Sequence, residues 1–223
     1  MRKRFSAMAV VIAALGANQA LADNYYGSIK LQQSAQALKK ADLTSPRVDH
    51  RLNSPGVNRS PVASIAIGTR VADDWRVEAE YTTLQHSSFE TYWSPFDANV
   101  NRMKVKSQRL MVNAYRDFAI TEQFSVYGTL GMGIAHIDSD GYQSTRSREF
   151  AHNSQNNLAY SAGVGADFKV NEDITLGAGY RVVNSGRIET GHNTFANRIN
   201  ARDEQLKGKL VEQNLFVELR HAF

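Results

Sequence analysis

Val211-Glu212-Gln213-Asn214-Leu215-Phe216-Val217-Glu218-Leu219-Arg220-His221-Ala222-Phe223 is the last stretch of the sequence. Read in steps of two, one set is Val211, Gln213, Leu215, Val217, Leu219, His221 and Phe223. The other is Glu212, Asn214, Phe216, Glu218, Arg220 and Ala222. Period-two alternation marks a β-strand with two unlike faces. A half-buried strand of a soluble sheet alternates in the same way, so the remainder of the chain decides which solvent each face meets.

Seven earlier stretches alternate likewise. Residues 25–33 set Tyr25, Gly27, Ile29 and Leu31 against Tyr26, Ser28, Lys30 and Gln32, and residues 62–71 set Ala63, Ile65, Ile67, Thr69 and Val71 against Ser64, Ala66, Gly68 and Arg70. From Trp75, the set Trp75, Val77, Ala79 and Tyr81 opposes Arg76, Glu78, Glu80 and Thr82. Residues 105–115, 123–137, 158–170 and 174–183 continue the pattern. The breaks at 72–74, 116–122 and 171–173 are brief, whereas 34–61, 85–104, 138–157 and 184–208 are long and polar. Long connections follow the first, third, fifth and seventh strands, and short ones the second, fourth and sixth. Transmembrane barrels sort their connections in this way, with short periplasmic turns and long external loops. A soluble sandwich has no such reason. The expected fold is all-β: an eight-stranded antiparallel up-and-down transmembrane barrel.

The two faces agree with that reading. One carries almost no charge, and the other collects Lys30, Arg70, Arg76, Glu78, Glu80, Arg109, Asp167, Lys169, Arg181, Glu212, Glu218 and Arg220. Arg or Lys on a lipid face near the midplane costs about 2–4 kcal/mol, so the charged set is assigned to the lumen. An eight-stranded barrel has an interior that side chains just fill, and opposite charges buried there should pair. A polar plug is expected, with a small diffusion channel as the alternative. Gly131, Gly133, Gly163, Gly165, Gly177 and Gly179 on the inward face should make room for long side chains opposite. Tyr25, Trp75, Tyr81, Phe124, Tyr160, Phe168, Tyr180 and Phe223 suit aromatic girdles on the outward face.

At the other end of the sequence, Arg2, Lys3 and Arg4 precede an apolar run and Ala20-Leu21-Ala22. This pattern predicts a signal peptide cut after Ala22, leaving residues 23–223 as one barrel domain. Residues 1–22 hold three of the 26 basic residues and none of the 22 acids, so the mature charge falls from +4 to +1. The basic balance therefore belongs largely to the leader and gives no ground for a nucleic-acid partner. With no cysteine, disulfides and thiolate metal sites are excluded; no metal, cofactor or catalytic motif is recognised.

Asn113-Ala114-Tyr115-Arg116-Asp117-Phe118, Tyr127-Gly128-Thr129-Leu130-Gly131-Met132-Gly133, Gly163-Val164-Gly165-Ala166-Asp167-Phe168 and the terminal Phe223 resemble the small outer-membrane barrels of the opacity-protein and OmpA/OmpX type. The resemblance covers the whole mature chain. It implies a bacterial outer-membrane location, Phe223 as a signal to the barrel-assembly machinery, and external loops that mediate adhesion or other contacts at the envelope or host surface. Within the first loop, Lys39, Lys40, Arg47, Arg51 and Arg59 could meet lipopolysaccharide phosphates or acidic host glycans. Tyr92, Trp93 and Phe96 in the second could anchor a partner. The rival class is a lipid A-modifying enzyme, for which His86 with Ser87 and Ser88, His136 with Asp138, or His152 with Ser154 would be the candidates. No family motif matches them, so a non-enzyme is expected.

Overall fold

In the computed structural model the described residues are 25–46, 49–53, 55–93 and 96–223. The predicted leader, residues 1–22, and Arg47 lie outside them, as do the side chains of Arg51, Trp93 and Phe96. The strands are β1 (Tyr25–Thr44), β2 (Asp49–Arg51), β3 (Asn58–Ala72), β4 (Trp75–Trp93), β5 (Phe96–Ala119), β6 (Phe124–Gln143), β7 (Glu149–Lys169), β8 (Ile174–Glu189) and β9 (Gln205–Ala222).

Every pairing is antiparallel, and neighbours in sequence pair from β3 through β9. β1 takes β3 on one side and β9 on the other, so eight strands close a barrel without an edge. Closure satisfies every backbone group of the wall internally, which hydrocarbon demands. Short β2 pairs with the far end of β1, Thr44 opposite Asp49, continuing the wall where β3 has ended. A bulge between Lys39 and Asp42 bends β1 there, and Lys40 takes a left-handed φ of 51°. The extra residue of a bulge strengthens local twist.

The strands outrun their predicted ends. Of the connections expected at 34–61, 85–104, 138–157 and 184–208, the first three are largely strand and the fourth is strand at its two ends; the spans between strands are 45–57, 94–95, 144–148 and 190–204, with β2 inside the first. Lys39, Lys40, Arg59 and Tyr92 accordingly sit on barrel strands. The physical reason is visible on β6. Its outward side chains are Leu130, Met132 and Ile134, then His136, Asp138 and Asp140, while inward Thr129, Gly131 and Gly133 give way to buried Ala135 and Ile137. The alternation continues past Ile134, but its polarity reverses.

That reversal recurs around the wall. On β9 the outward Leu219, Val217 and Leu215 are succeeded by Gln213, then Lys209 and Lys207; the inward Arg220 and Glu218 are succeeded by Leu210 and Leu206. On β5 the outward Val112 and Leu110 give way to Lys106 and Lys104, and the inward Asn113 and Arg109 to Val105 and Met103. One half of the barrel presents apolar side chains to its surroundings, as a lipid-embedded barrel does. The other half presents polar side chains and buries Leu38, Phe89, Met103, Ile137, Phe150, Ile188, Leu206 and Leu210 in a core of its own. Tyr81 and Tyr160 stand at the boundary with polar partners: Tyr81 donates to Gln108 Oε1 at 2.9 Å, and Tyr160 accepts from Asn184 Nδ2 at 2.8 Å.

Leu215→Arg places a guanidinium on the apolar band and should cost about 2–4 kcal/mol in lipid vesicles. Ser88→Arg, outward on β4 beyond the band, should change stability by less than about 0.5 kcal/mol. Denaturant titration of both variants checks this, and equal losses would contradict the placement of the band.

Candidate functional site: the charged lumen and the outer rim

Lys30 stands at the centre of the lumen. Its ammonium pairs with Glu78, with Glu80 Oε2 at 2.9 Å and with Glu218 Oε1 at 3.9 Å, and donates to Tyr115 Oη at 3.0 Å. Tyr115 in turn donates to Glu78 Oε1 at 2.9 Å. From the opposite wall Arg181 grips Glu80 with both terminal nitrogens, at 2.8 and 2.6 Å. A two-pronged guanidinium–carboxylate contact fixes orientation as well as charge. Arg76 forks onto Asp117 at 2.7 and 2.7 Å and reaches Asp167 at 3.2 Å. Arg220 joins Asp167 at 2.9 Å to Glu218 at 3.0 Å. Arg109 meets Glu212 Oε2 at 2.5 Å one layer further out.

Five cations and six carboxylates thus interlock, and apart from Asp117 each is nearly fully buried. Period-two alternation put them there, because one-residue register pairs such as Gly177 with Glu218 bring every charged residue onto the inner face. Glycines opposite provide the space: a Cβ on Gly179 would lie 2.6 Å from Phe216 Cζ and 2.9 Å from Tyr127 Oη. Asp117 has no signal in the sequence because it falls in the predicted turn 116–122, of which the structure assigns 116–119 to the end of β5.

Two of the charged residues assigned to the inner face lie elsewhere in effect. Arg70 and Lys169 are exposed and line the mouth at the short-turn end, beside Asp73, Asp74, Glu172 and Asp173. Their strands end there, so solvent and not a lumen partner surrounds them.

Beyond the ion pairs comes a neutral polar layer. Gln36 donates to Ser107 at 3.1 Å and accepts from Ser87, and Gln85 donates to Glu212 at 3.4 Å. The apolar core follows and fills the outer half. Over it folds the 190–204 connection, held by Asn193, whose amide donates to Phe195 O at 2.7 Å while its Oδ1 accepts from Glu204 N at 2.8 Å. Phe195 meets Phe150 edge-on at 5.8 Å and lies 4.0 Å beneath the Arg148 guanidinium. This connection is a lid packed onto the core.

The histidine candidates separate. His86 and Ser88 point outward and Ser87 inward, and neither serine is hydrogen-bonded to the His86 ring. His136 and His152 both approach Asp138 Oδ1, at 3.9 and 3.3 Å, on the outer face, and His136 also bonds Asn156 Oδ1 at 2.8 Å. Among the described residues no serine hydroxyl is hydrogen-bonded to these rings, and no group of metal-ligating side chains is found.

A closed antiparallel wall, apolar outside and ion-paired within, defines a transmembrane β-barrel of the bacterial outer membrane. The chain belongs to the outer membrane protein beta-barrel domain family, whose pattern matches residues 5–206. It is 32% identical over 113 residues to outer membrane protein PagN of Salmonella typhimurium, covering 47% of this chain and 45% of that protein, so it spans less than half of PagN. It is 24% identical over 174 residues to a candidate adhesin of Rickettsia bellii, covering 73% of this chain and 75% of the relative. OprG of Pseudomonas aeruginosa has the same fold: TM-score 0.56 at 13% identity, over 91% of this chain and 99% of OprG.

Glu80→Gln removes the carboxylate shared by Arg181 and Lys30 and should cost about 3–5 kcal/mol, because it strands buried charge. Adding Arg181→Met should restore part of the loss. Equilibrium unfolding of the single and double variants tests this; a double variant less stable than the single would contradict the shared-carboxylate account.

Proposed function

We propose that this protein is a sealed adhesion barrel: it does its work with the surface it raises outside the membrane and passes nothing through its lumen. One observation carries the reading. The wall continues past the lipid-facing band and closes over an apolar core, so the outer half is a rigid platform. An apolar core resists deformation and fixes whatever is mounted on it. At its tip lie the lid and the 144–148 connection, with Arg146, Ile199 and Arg202 exposed. Arginine is enriched at recognition surfaces, and its positive charge favours an acidic partner on a cell surface. The Rickettsia relative named as a candidate adhesin supports the same direction.

In this reading the protein is not an enzyme: Ser154 stands opposite Asp138, but its hydroxyl is not hydrogen-bonded to His136 or His152, so neither ring is placed to activate it. Cleavage after Ala22 and recognition of Phe223 by the assembly machinery complete the proposal; Phe223 is half-exposed beside Tyr25, whose carbonyl accepts from its N–H at 3.1 Å.

Replacing residues 194–202 by a short Gly-Ser link should reduce binding of expressing bacteria to host cells about tenfold at unchanged membrane level. Arg146→Gln with Arg202→Gln should remove the salt dependence of that binding, since exposed charge attraction is screened by salt. Cell-binding assays with surface-level control check both. Unchanged binding by the lid replacement would overturn the assignment of the tip.

A further inference from the structure

On the outer side of the lipid-facing band, three cations stand in register on three adjacent strands. Lys39 on β1 pairs with Lys209 on β9, and Lys209 pairs with Arg187 on β8. All three point outward and are exposed. Among the described residues none has a carboxylate partner, in contrast to Lys207 on the next pair outward, which is bound by Glu189 at 3.2 Å. Asp42 lies opposite Lys207 on that same outward rung. Like charges set directly opposite one another destabilise a sheet, so a bare row of three needs an anion to settle it.

One pair further toward the band, Asn184 faces Val211, and both belong to the rim of a groove of about 750 Å³ on the outer wall. The groove arises from side-chain size. Ala162 sits between Leu130 and Val182 on one rung, and Ala114 lies between Leu130 and Val77 on the same rung, so a depression opens between larger neighbours. Leu130, Met132, Tyr160 and Val182 flank it, and it belongs to the apolar band. The basic row, on β8, β9 and β1, and the apolar trough, which runs from β5 to its rim on β8 and β9, therefore meet where Asn184 and Val211 lie one residue pair from Arg187 and Lys209.

We propose that this is a binding site for a phosphorylated lipid of the outer leaflet: the phosphate lies on Arg187, Lys209 and Lys39, and an acyl chain lies in the groove. A soluble acidic glycan would match only the row, and a neutral phospholipid only the groove. A lipid bearing phosphate matches both, at the depth where its headgroup meets water. The site stands on the side wall, apart from the tip used for adhesion.

The test uses the purified full chain in dodecyl maltoside micelles. Native mass spectrometry measures retention of dipalmitoyl phosphatidic acid, dipalmitoyl phosphatidylcholine and, as soluble competitors, glycerol phosphate and a sulfated oligosaccharide. The expected result is a preference for phosphatidic acid over phosphatidylcholine of about 10–100-fold, from three cations near a membrane surface. R187Q/K209Q/K39Q should reduce that preference to within about twofold. Ala162→Leu should weaken retention of both lipids while leaving the preference intact. Circular dichroism verifies that each variant is folded.

Equal retention of the two lipids by the unaltered chain, or a triple variant that keeps its preference, would overturn the proposal. So would a sulfated oligosaccharide that displaces phosphatidic acid completely, since that would make the row a glycan site. Host-cell binding by the triple variant reads the tip separately: loss of lipid preference with retained adhesion is the expected combination.

Discussion

Hydrocarbon has no means of solvating a charge or an open peptide group, and that single deprivation organises the molecule. The wall closes because an open edge would leave N–H and C=O groups bare. The charged set turns inward because an outward Arg or Lys is costly. Once inward, the charges must find one another, and Lys30 does so with three carboxylates. Breaking such a group costs more than its assembly gained, since each member shields its neighbours from being buried unpaired. The lumen is therefore a specified arrangement in which Arg181, Glu80 and Lys30 depend on each other across opposite walls.

Where the bilayer ends, the deprivation ends too, and the same alternation acquires the opposite meaning. Outward positions become Lys, Asp and His, while inward positions become Leu, Ile and Phe. The outer half is in effect a water-soluble barrel, stabilised by burial of apolar area in the ordinary way, mounted on a membrane barrel stabilised by enclosed ion pairs. Tyr81, Tyr160, Gln108 and Asn184 mark the seam. The apolar core and the lid packed on it cover the outer end.

This two-solvent design explains what could be read from sequence. Strand number, closure, facing and, apart from Asp117, Arg70 and Lys169, the identity of the lumen charges were legible because lipid forces a sharp contrast between alternate residues. The crossing points were not. On β1, Ser34, Gln36, Ala35 and Ala37 make both faces nondescript before Leu38 turns inward, so a continuing strand reads as the start of a loop. Pro46, Pro55 and Pro61 reinforced that impression. Phe150 and Ile188 likewise fall in segments read as external loops, yet both are fully buried. Their signal was there, as alternation with reversed polarity, and a search confined to one polarity passes over it. Side-chain meetings between strands, such as His152 on Asp138, depend on register and had no sequence signature.

The reversal of facing along a single strand is the point on which the whole account turns, and β6 displays it in six outward positions. A fluorophore placed in turn at 130, 132, 134, 136, 138 and 140, in protein reconstituted into lipid vesicles, can be challenged with a quencher carried on lipid chains and with one dissolved in water. The account predicts quenching by the lipid-borne agent at 130, 132 and 134 and by the aqueous agent at 136, 138 and 140, with the change between 134 and 136. Lipid-borne quenching that persists through 140, or aqueous quenching at all six, would contradict it.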